Sequence, residues 1–188
     1  MSKVLAVDLD GPLFYPKKLT RCIPKKNVRF LRKWIDSGNR LVIITSRSHA
    51  FTERLMDEIQ RDYDVINCTS SQIFHQGELI YEKSMPTDEI VPIFDKIVNR
   101  YKPKAMLMTS KNQPCAIYQP KKLNFFLRVA YKLWYIFQFH YKEPSVIDND
   151  VFLDELHHGE VFKIMTFFGF GKKKGVLSKE INKELREN

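Results

Sequence analysis

The chain has 188 residues, 44% of them hydrophobic and 13% aromatic, which suffices for a core in one domain or one and a half. The formal net charge is +9, so the surface attracts anions; phosphorylated metabolites, nucleic acid and acidic lipid all fit that charge. No stretch of about 18 or more uncharged apolar residues occurs, so nothing reads as a membrane span.

The first element is a buried strand over residues 3 to 8, built on Val4-Leu5-Ala6-Val7. It runs into Asp8-Leu9-Asp10-Gly11-Pro12-Leu13-Phe14, which puts two carboxylates two residues apart where the strand turns. Residues i and i+2 of a strand point to one side. Like charges that close require a cation between them or a proton on one. That suits a metal-assisted carboxylate nucleophile with an acid/base partner. A solvated strand end with a turn also accounts for Asp8-Leu9-Asp10-Gly11 taken alone.

A helix is predicted from Pro24 to about Ser37, with Val28, Leu31, Trp34 and Ile35 at helical spacing and Gly38 as its stop. Leu41-Val42-Ile43-Ile44 is a second buried strand, ending at Thr45-Ser46-Arg47. The resulting β-α-β unit has parallel strands and a right-handed crossover. Asp8 and Thr45 then lie at the carboxyl ends of neighbouring strands, the edge where open α/β sheets bind ligands.

Further along, the pattern predicts a helix over 50–61, a short strand at Val65-Ile66 and a hairpin whose arms, 72–75 and 78–81, flank Gln76-Gly77. A helix over 87–101 follows, then strands at 105–108 and 116–118. Lys122 to Tyr135 reads as an aromatic helix, with 134–141 alternatively extended. One or two helical turns over 150–156, a strand over 161–168 and a helix over 175–187 complete the chain. The change from β-α-β to hairpins sets the expected boundary, giving units 1–70 and 71–188.

Cys22, Cys68 and Cys115 are scattered, without a Cys-x-x-Cys pair. This argues against a disulfide framework or a zinc site and predicts a reducing, cytoplasmic setting. The N-terminus enters a strand directly, which predicts no signal peptide.

Asp8-Leu9-Asp10-Gly11, the strand end Thr45-Ser46-Arg47 and the hairpin after residue 70 together resemble the haloacid dehalogenase-like hydrolases, most closely the Cof-like branch. The family's opening Asp-x-Asp-Gly-Thr-Leu is matched except that Pro12 replaces Thr, and its Thr-Gly-Arg motif is matched as Thr45-Ser46-Arg47. The resemblance implies an α/β fold: half of a Rossmann-like core with a parallel sheet (1–70), then an α+β cap (71–188). It implies that Asp8 attacks the phosphorus of a phosphomonoester to form an aspartyl-phosphate. Asp10 would protonate the leaving oxygen and then activate water. Mg²⁺ would bind at Asp8 and Asp10, through the carboxylate of the first and the backbone carbonyl of the second. Thr45 and Ser46 would hold the phosphoryl oxygens. Arg47 would stand at the pocket mouth, or serve as an ordinary solvated cation at a helix start.

Two family parts do not appear: a lysine or arginine after the cap, and an acidic Gly-Asp-x-x-Asn-Asp motif. The expectation is that the chain stops inside the cap. Ser145-Val146-Ile147-Asp148-Asn149-Asp150, with Asp154 and with Lys121 or Lys122, is the internal candidate for those parts. A helix cap at Asp148 or Asn149 is the preferred reading of that segment. The Asn-Gly-Ala that opens a family cap is not matched by Ser70-Ser71-Gln72, so no substrate contact carries over from it.

Lys121 to Lys142 interleaves aromatic and basic residues, which predicts cap packing with cations outside, or a self-association surface. His157 and His158 are adjacent and make a poor metal pair. The run 169–175 lacks the phosphate-loop order and reads as a basic turn. The function expected is Mg²⁺-dependent hydrolysis of small phosphorylated metabolites. The alternative is a truncated or degenerate relative that binds a phosphorylated ligand or a partner with little turnover. A basic nucleic-acid-binding module is a third reading, but nucleic acid is not the expected partner.

Overall fold

The computed structural model describes residues 2–14, 23–120, 144–169 and 172–187. Strand β1 (Val4–Asp8), helix α1 (Lys25–Asp36) and strand β2 (Arg40–Ile44) make the expected β-α-β unit. The two strands are parallel, with Val4 opposite Arg40 and Asp8 opposite Ile44. Pro24 caps α1, its fixed backbone leading into the first turn. Leu31 is buried, and Val28 and Ile35 pack on the same core. Gly38, at φ +78°, ends the helix and donates its N–H to the Ile35 carbonyl at 2.9 Å.

Helix α2 (His49–Met56) passes into a 3₁₀ turn (Asp57–Ile59) and then strand β3 (Asp64–Asn67), which pairs parallel with β2. Strands β4 (Gln72–His75) and β5 (Glu78–Glu82) form the predicted hairpin. Gln76 and Gly77 both take positive φ, the geometry of a two-residue turn whose twist suits the strands. The switch to antiparallel pairing falls after residue 70, as the hairpin predicts. The sheet nevertheless continues through it, because β4 pairs antiparallel with β3. One five-stranded sheet results, in the order β1-β2-β3-β4-β5. Its core joins Leu9, Phe14, Leu31, Leu41, Ile43, Phe51 and Leu55, all almost fully buried.

The second half builds its own sheet. Helix α3 (Thr87–Lys96) runs on as a π-helical turn (Ile97–Tyr101). Strands β6 (Ala105–Ser110), β7 (Ala116–Tyr118), β8 (Val146–Ile147) and β9 (Val161–Phe167) lie in the order β8-β7-β6-β9. Helix α4 (Asn149–His158) and helix α5 (Lys172–Glu187) complete it. Ile90, Phe94, Met106, Phe152, Leu156 and Val161 form its core. The fold is α/β, as the sequence predicts.

Asp148 is a helix cap: its Oδ1 accepts from the Asp150 N–H at 2.8 Å and the Val151 N–H at 3.3 Å. Helix α5 starts at Lys172, so Lys172–Lys174 belong to a helix and not to the basic turn that the glycines suggest. The aromatic-basic segment 121–142, with its expected helix and its candidate cations Lys121 and Lys122, lies outside the described residues. No helix among the described residues is long and apolar enough to cross a membrane.

Candidate active site

The carboxyl edge of the first sheet gathers the residues that the sequence singles out. Asp8 is the last residue of β1 and is exposed. Asp10 is not in the strand, so the two-residue strand period is not what presents it. Leu9 turns inward and is fully buried, and the chain folds into a tight turn. The Phe14 N–H donates to the Leu9 carbonyl at 2.8 Å, and the Gly11 N–H to the Phe14 carbonyl at 3.0 Å. Gly11 adopts φ +97°, where side chains are disfavoured, although a Cβ there would meet no atom within 4 Å. The glycine is thus required by backbone conformation and not by space. The turn brings Asp10 back over the strand end, and its N–H donates to Asp8 Oδ1 at 3.3 Å.

Thr45 follows β2 and is only 5% exposed. Its N–H donates to the Ile66 carbonyl at 2.9 Å. Its Oγ1 accepts from the Arg47 N–H at 3.1 Å, which curls 45–47 into a loop. Ser46 is the exposed tip of that loop. Ser48 then caps α2, its side chain accepting from the Phe51 N–H at 3.3 Å.

Arg47 joins the two halves of the site. Its Nε donates to Asp10 Oδ2 at 3.1 Å and its Nη2 to Asp10 Oδ1 at 2.9 Å. Its side chain is 15% exposed, against 38% for Asp10. The guanidinium carbon lies 4.7 Å from the centre of the Phe51 ring. Phe51 meets Phe14 edge to face at 5.8 Å, so the aspartate turn and the start of α2 also pack together. The solvated-cation reading of Arg47 therefore gives way to a guanidinium held between a carboxylate and an aromatic face.

Three residues that sequence reasoning missed border this edge. Asn67 ends β3 beside the strand that leads to Thr45, is fully buried, and its amide bonds to nothing among the described residues. Leaving such a group unpaired costs about 1–3 kcal/mol, a cost that a polar ligand or water would remove. Cys68 follows, buried and left-handed, and its N–H donates to the Arg47 carbonyl at 3.1 Å. Lys163 of β9 reaches across and donates to the Ser46 carbonyl at 2.6 Å. No local pattern flags Lys163, because its contact spans 117 residues.

For a divalent ion, the exposed Asp8 carboxylate is the acidic donor left at this turn, because Arg47 engages both Asp10 carboxylate oxygens. No group of three or more His, Cys, Asp or Glu residues suited to a metal occurs among the described residues. Mg²⁺ typically takes one or two protein carboxylates and keeps several waters, so this sparse oxygen set fits it.

The sequence matches the haloacid dehalogenase-like hydrolase family over residues 5–188. The chain belongs to that family. No curated protein matches it. Among solved structures, it superposes on a haloacid dehalogenase-like hydrolase from B. subtilis with a TM-score of 0.70 at 17% identity, covering 96% of this chain and 66% of that one. A HAD/COF-like hydrolase from Plasmodium vivax gives 0.72 at 13% identity, covering 97% and 62%. A sugar phosphatase of HAD subclass IIB gives 0.66 at 22% identity, covering 96% and 62%. The chain therefore spans somewhat under two thirds of the length of the structures it matches. These likenesses concern the fold.

Proposed function

We propose that this chain carries the phosphate-handling edge of a phosphomonoester hydrolase acting on small phosphorylated metabolites of the cytoplasm. The observation that carries the reading is the linked set Asp8, Asp10, Arg47 and Thr45 at one sheet edge. An Asp8 carboxylate oxygen would attack phosphorus, forming an aspartyl-phosphate as the ester P–O bond breaks. Asp10 would give its proton to the departing oxygen. In the second step a water would attack phosphorus, its proton passing to Asp10, and the Asp8–phosphorus bond would break. Two easier displacements replace one hard one.

The Arg47 fork donates to both Asp10 oxygens, so neither faces a leaving group until the fork opens. A phosphoryl group is a doubly charged competitor for that guanidinium. Its arrival would draw Arg47 away and release Asp10. Thr45 and Ser46 would hold the phosphoryl oxygens through hydroxyl and loop N–H groups. Mg²⁺ at Asp8 and the Asp10 carbonyl would neutralise phosphate charge. The division into a core half (1–70) and a cap (71–188) belongs to the same reading.

A second reading is favoured by the closed fork, which occupies both Asp10 carboxylate oxygens: the chain binds phosphorylated ligands and turns them over slowly or not at all. Hydrolysis of p-nitrophenyl phosphate with and without Mg²⁺ separates the two. The hydrolase reading expects Mg²⁺-dependent release of nitrophenol that disappears in Asp8→Asn. Activity that survives this change removes Asp8 as nucleophile.

A further inference from the structure

We infer that the second core holds a binding pocket for an uncharged molecule with an alkyl chain, apart from the phosphate-handling edge of the first sheet. The pocket has a volume of about 480 Å³ and lies between α3, α5 and strands β6 and β9. Its floor is one face of the second sheet. Met106 of β6 stands opposite Thr166 of β9, and Ile164 shares that face two residues earlier. Ile90 and Phe94 of α3 form one wall, and Ile181 and Asn182 of α5 another. Ile93 and Met165, 44% and 41% exposed, stand at the mouth, whereas Met106 is fully buried. The two helical walls are tied together. Glu184 of α5 accepts from Arg100 at 2.6 Å and from the Tyr101 hydroxyl, and it pairs with Lys96 at 3.4 Å.

Imperfect core packing explains the space poorly. Protein interiors leave few voids larger than a water molecule. This one is about three times the roughly 150 Å³ that holds benzene in an apolar cavity, and it falls within the range of about 300–1,000 Å³ of ligand pockets. The lining names the class of ligand. None of its side chains is charged, although 28% of the chain is. A charged group inside would lose its water and meet no counter-charge. The phosphorylated ligands that suit the first sheet's edge therefore do not suit this pocket. Three thioethers, Met85, Met106 and Met165, adapt to a flexible chain. Thr166 and Asn182 are the polar side chains of the lining, and they offer a hydroxyl and an amide to one uncharged polar head. A fatty alcohol or ester combines those features.

The test is binding of N-phenyl-1-naphthylamine, an uncharged probe that fluoresces in apolar surroundings, to the full chain. Saturable fluorescence that 1-decanol displaces is expected. Decylamine and decyl phosphate carry the same chain with a charged head, and should displace the probe about tenfold less well. Ile164→Phe fills the floor and should weaken the probe about tenfold. Ile93→Asp sets a carboxylate at the mouth and should weaken decanol by a similar factor. Urea unfolding of both variants accompanies the titrations. If Ile164→Phe lowers the unfolding midpoint, Ile93→Asp decides, because its side chain is exposed and the core beneath it is unchanged. A wild type without saturable binding overturns the inference. So does unaltered affinity in Ile93→Asp, or in a fully stable Ile164→Phe. Charged analogues that displace the probe as well as decanol overturn it too.

Discussion

The Arg47 guanidinium spans both carboxylate oxygens of Asp10, at 3.1 and 2.9 Å, while the Phe51 ring lies beneath it at 4.7 Å. A lysine cannot reproduce that fork, because it offers a point charge and not two parallel donors. Arg47→Lys should raise KM for an aryl phosphate about tenfold, and Arg47→Met about a hundredfold, in line with the loss of one or two charge-assisted bonds. Steady-state kinetics over a substrate series checks this. A KM indifferent to both changes would mean that Arg47 serves Asp10 and never the ligand.

Gly11 is the conformational pivot of the aspartate turn. Its φ of +97° is open to glycine and strained for alanine, and no neighbouring atom would obstruct a Cβ. Gly11→Ala should therefore cost about 1–3 kcal/mol through the backbone alone. The same change should disturb how Asp10 meets Arg47. Urea midpoints measure the first effect and phosphate affinity the second. An alanine variant as stable as wild type would show that the turn relaxes freely.

The local parts of this architecture were legible in the sequence. The two buried runs 4–7 and 41–44, with a helical period and Gly38 between them, announce the β-α-β unit, because each signal lies within a few residues. Gln76-Gly77 announces its hairpin for the same reason. The pairing of β4 with β3 was hidden, since nothing in Gln72–His75 says which edge it will join. Cys68, Thr69 and Ser70 take left-handed backbone without a glycine to mark it, so the bend after β3 leaves no trace in composition. At the site, the acids and the Thr45 loop are short motifs and could be read. The fork joins residues 37 apart and the Lys163 contact residues 117 apart, and only the packed fold reveals either.

Phe152 anchors the second sheet. It is fully buried and packs on Phe94 at 5.7 Å and Tyr118 at 5.4 Å. Phe152→Ala should cost about 3–5 kcal/mol, the usual loss for a large aromatic replaced by a cavity. Urea midpoints of the variant and of wild type measure that loss, and an unchanged midpoint would show that the second core closes over the cavity at no cost.

His49 gives the fold a pH dependence of known sign. Its ring stacks on Phe74 at 3.6 Å and 4°, and its buried Nδ1 has no hydrogen-bond partner among the described residues. Burial pushes its pKa down, with the Glu53 charge opposing. In the unfolded chain the ring takes up its proton near the ordinary value of about 6.5. Below that pH the unfolded state holds more protons than the native one, so stability declines as pH falls toward the depressed native value. Above about pH 6.5 the group contributes no slope. His49→Phe keeps an aromatic face against Phe74 and removes the titration. Unfolding midpoints measured from about pH 5 to 7.5 should therefore slope less in the variant than in wild type. Parallel curves for the two proteins would show that the histidine is hydrated and titrates alike in both states.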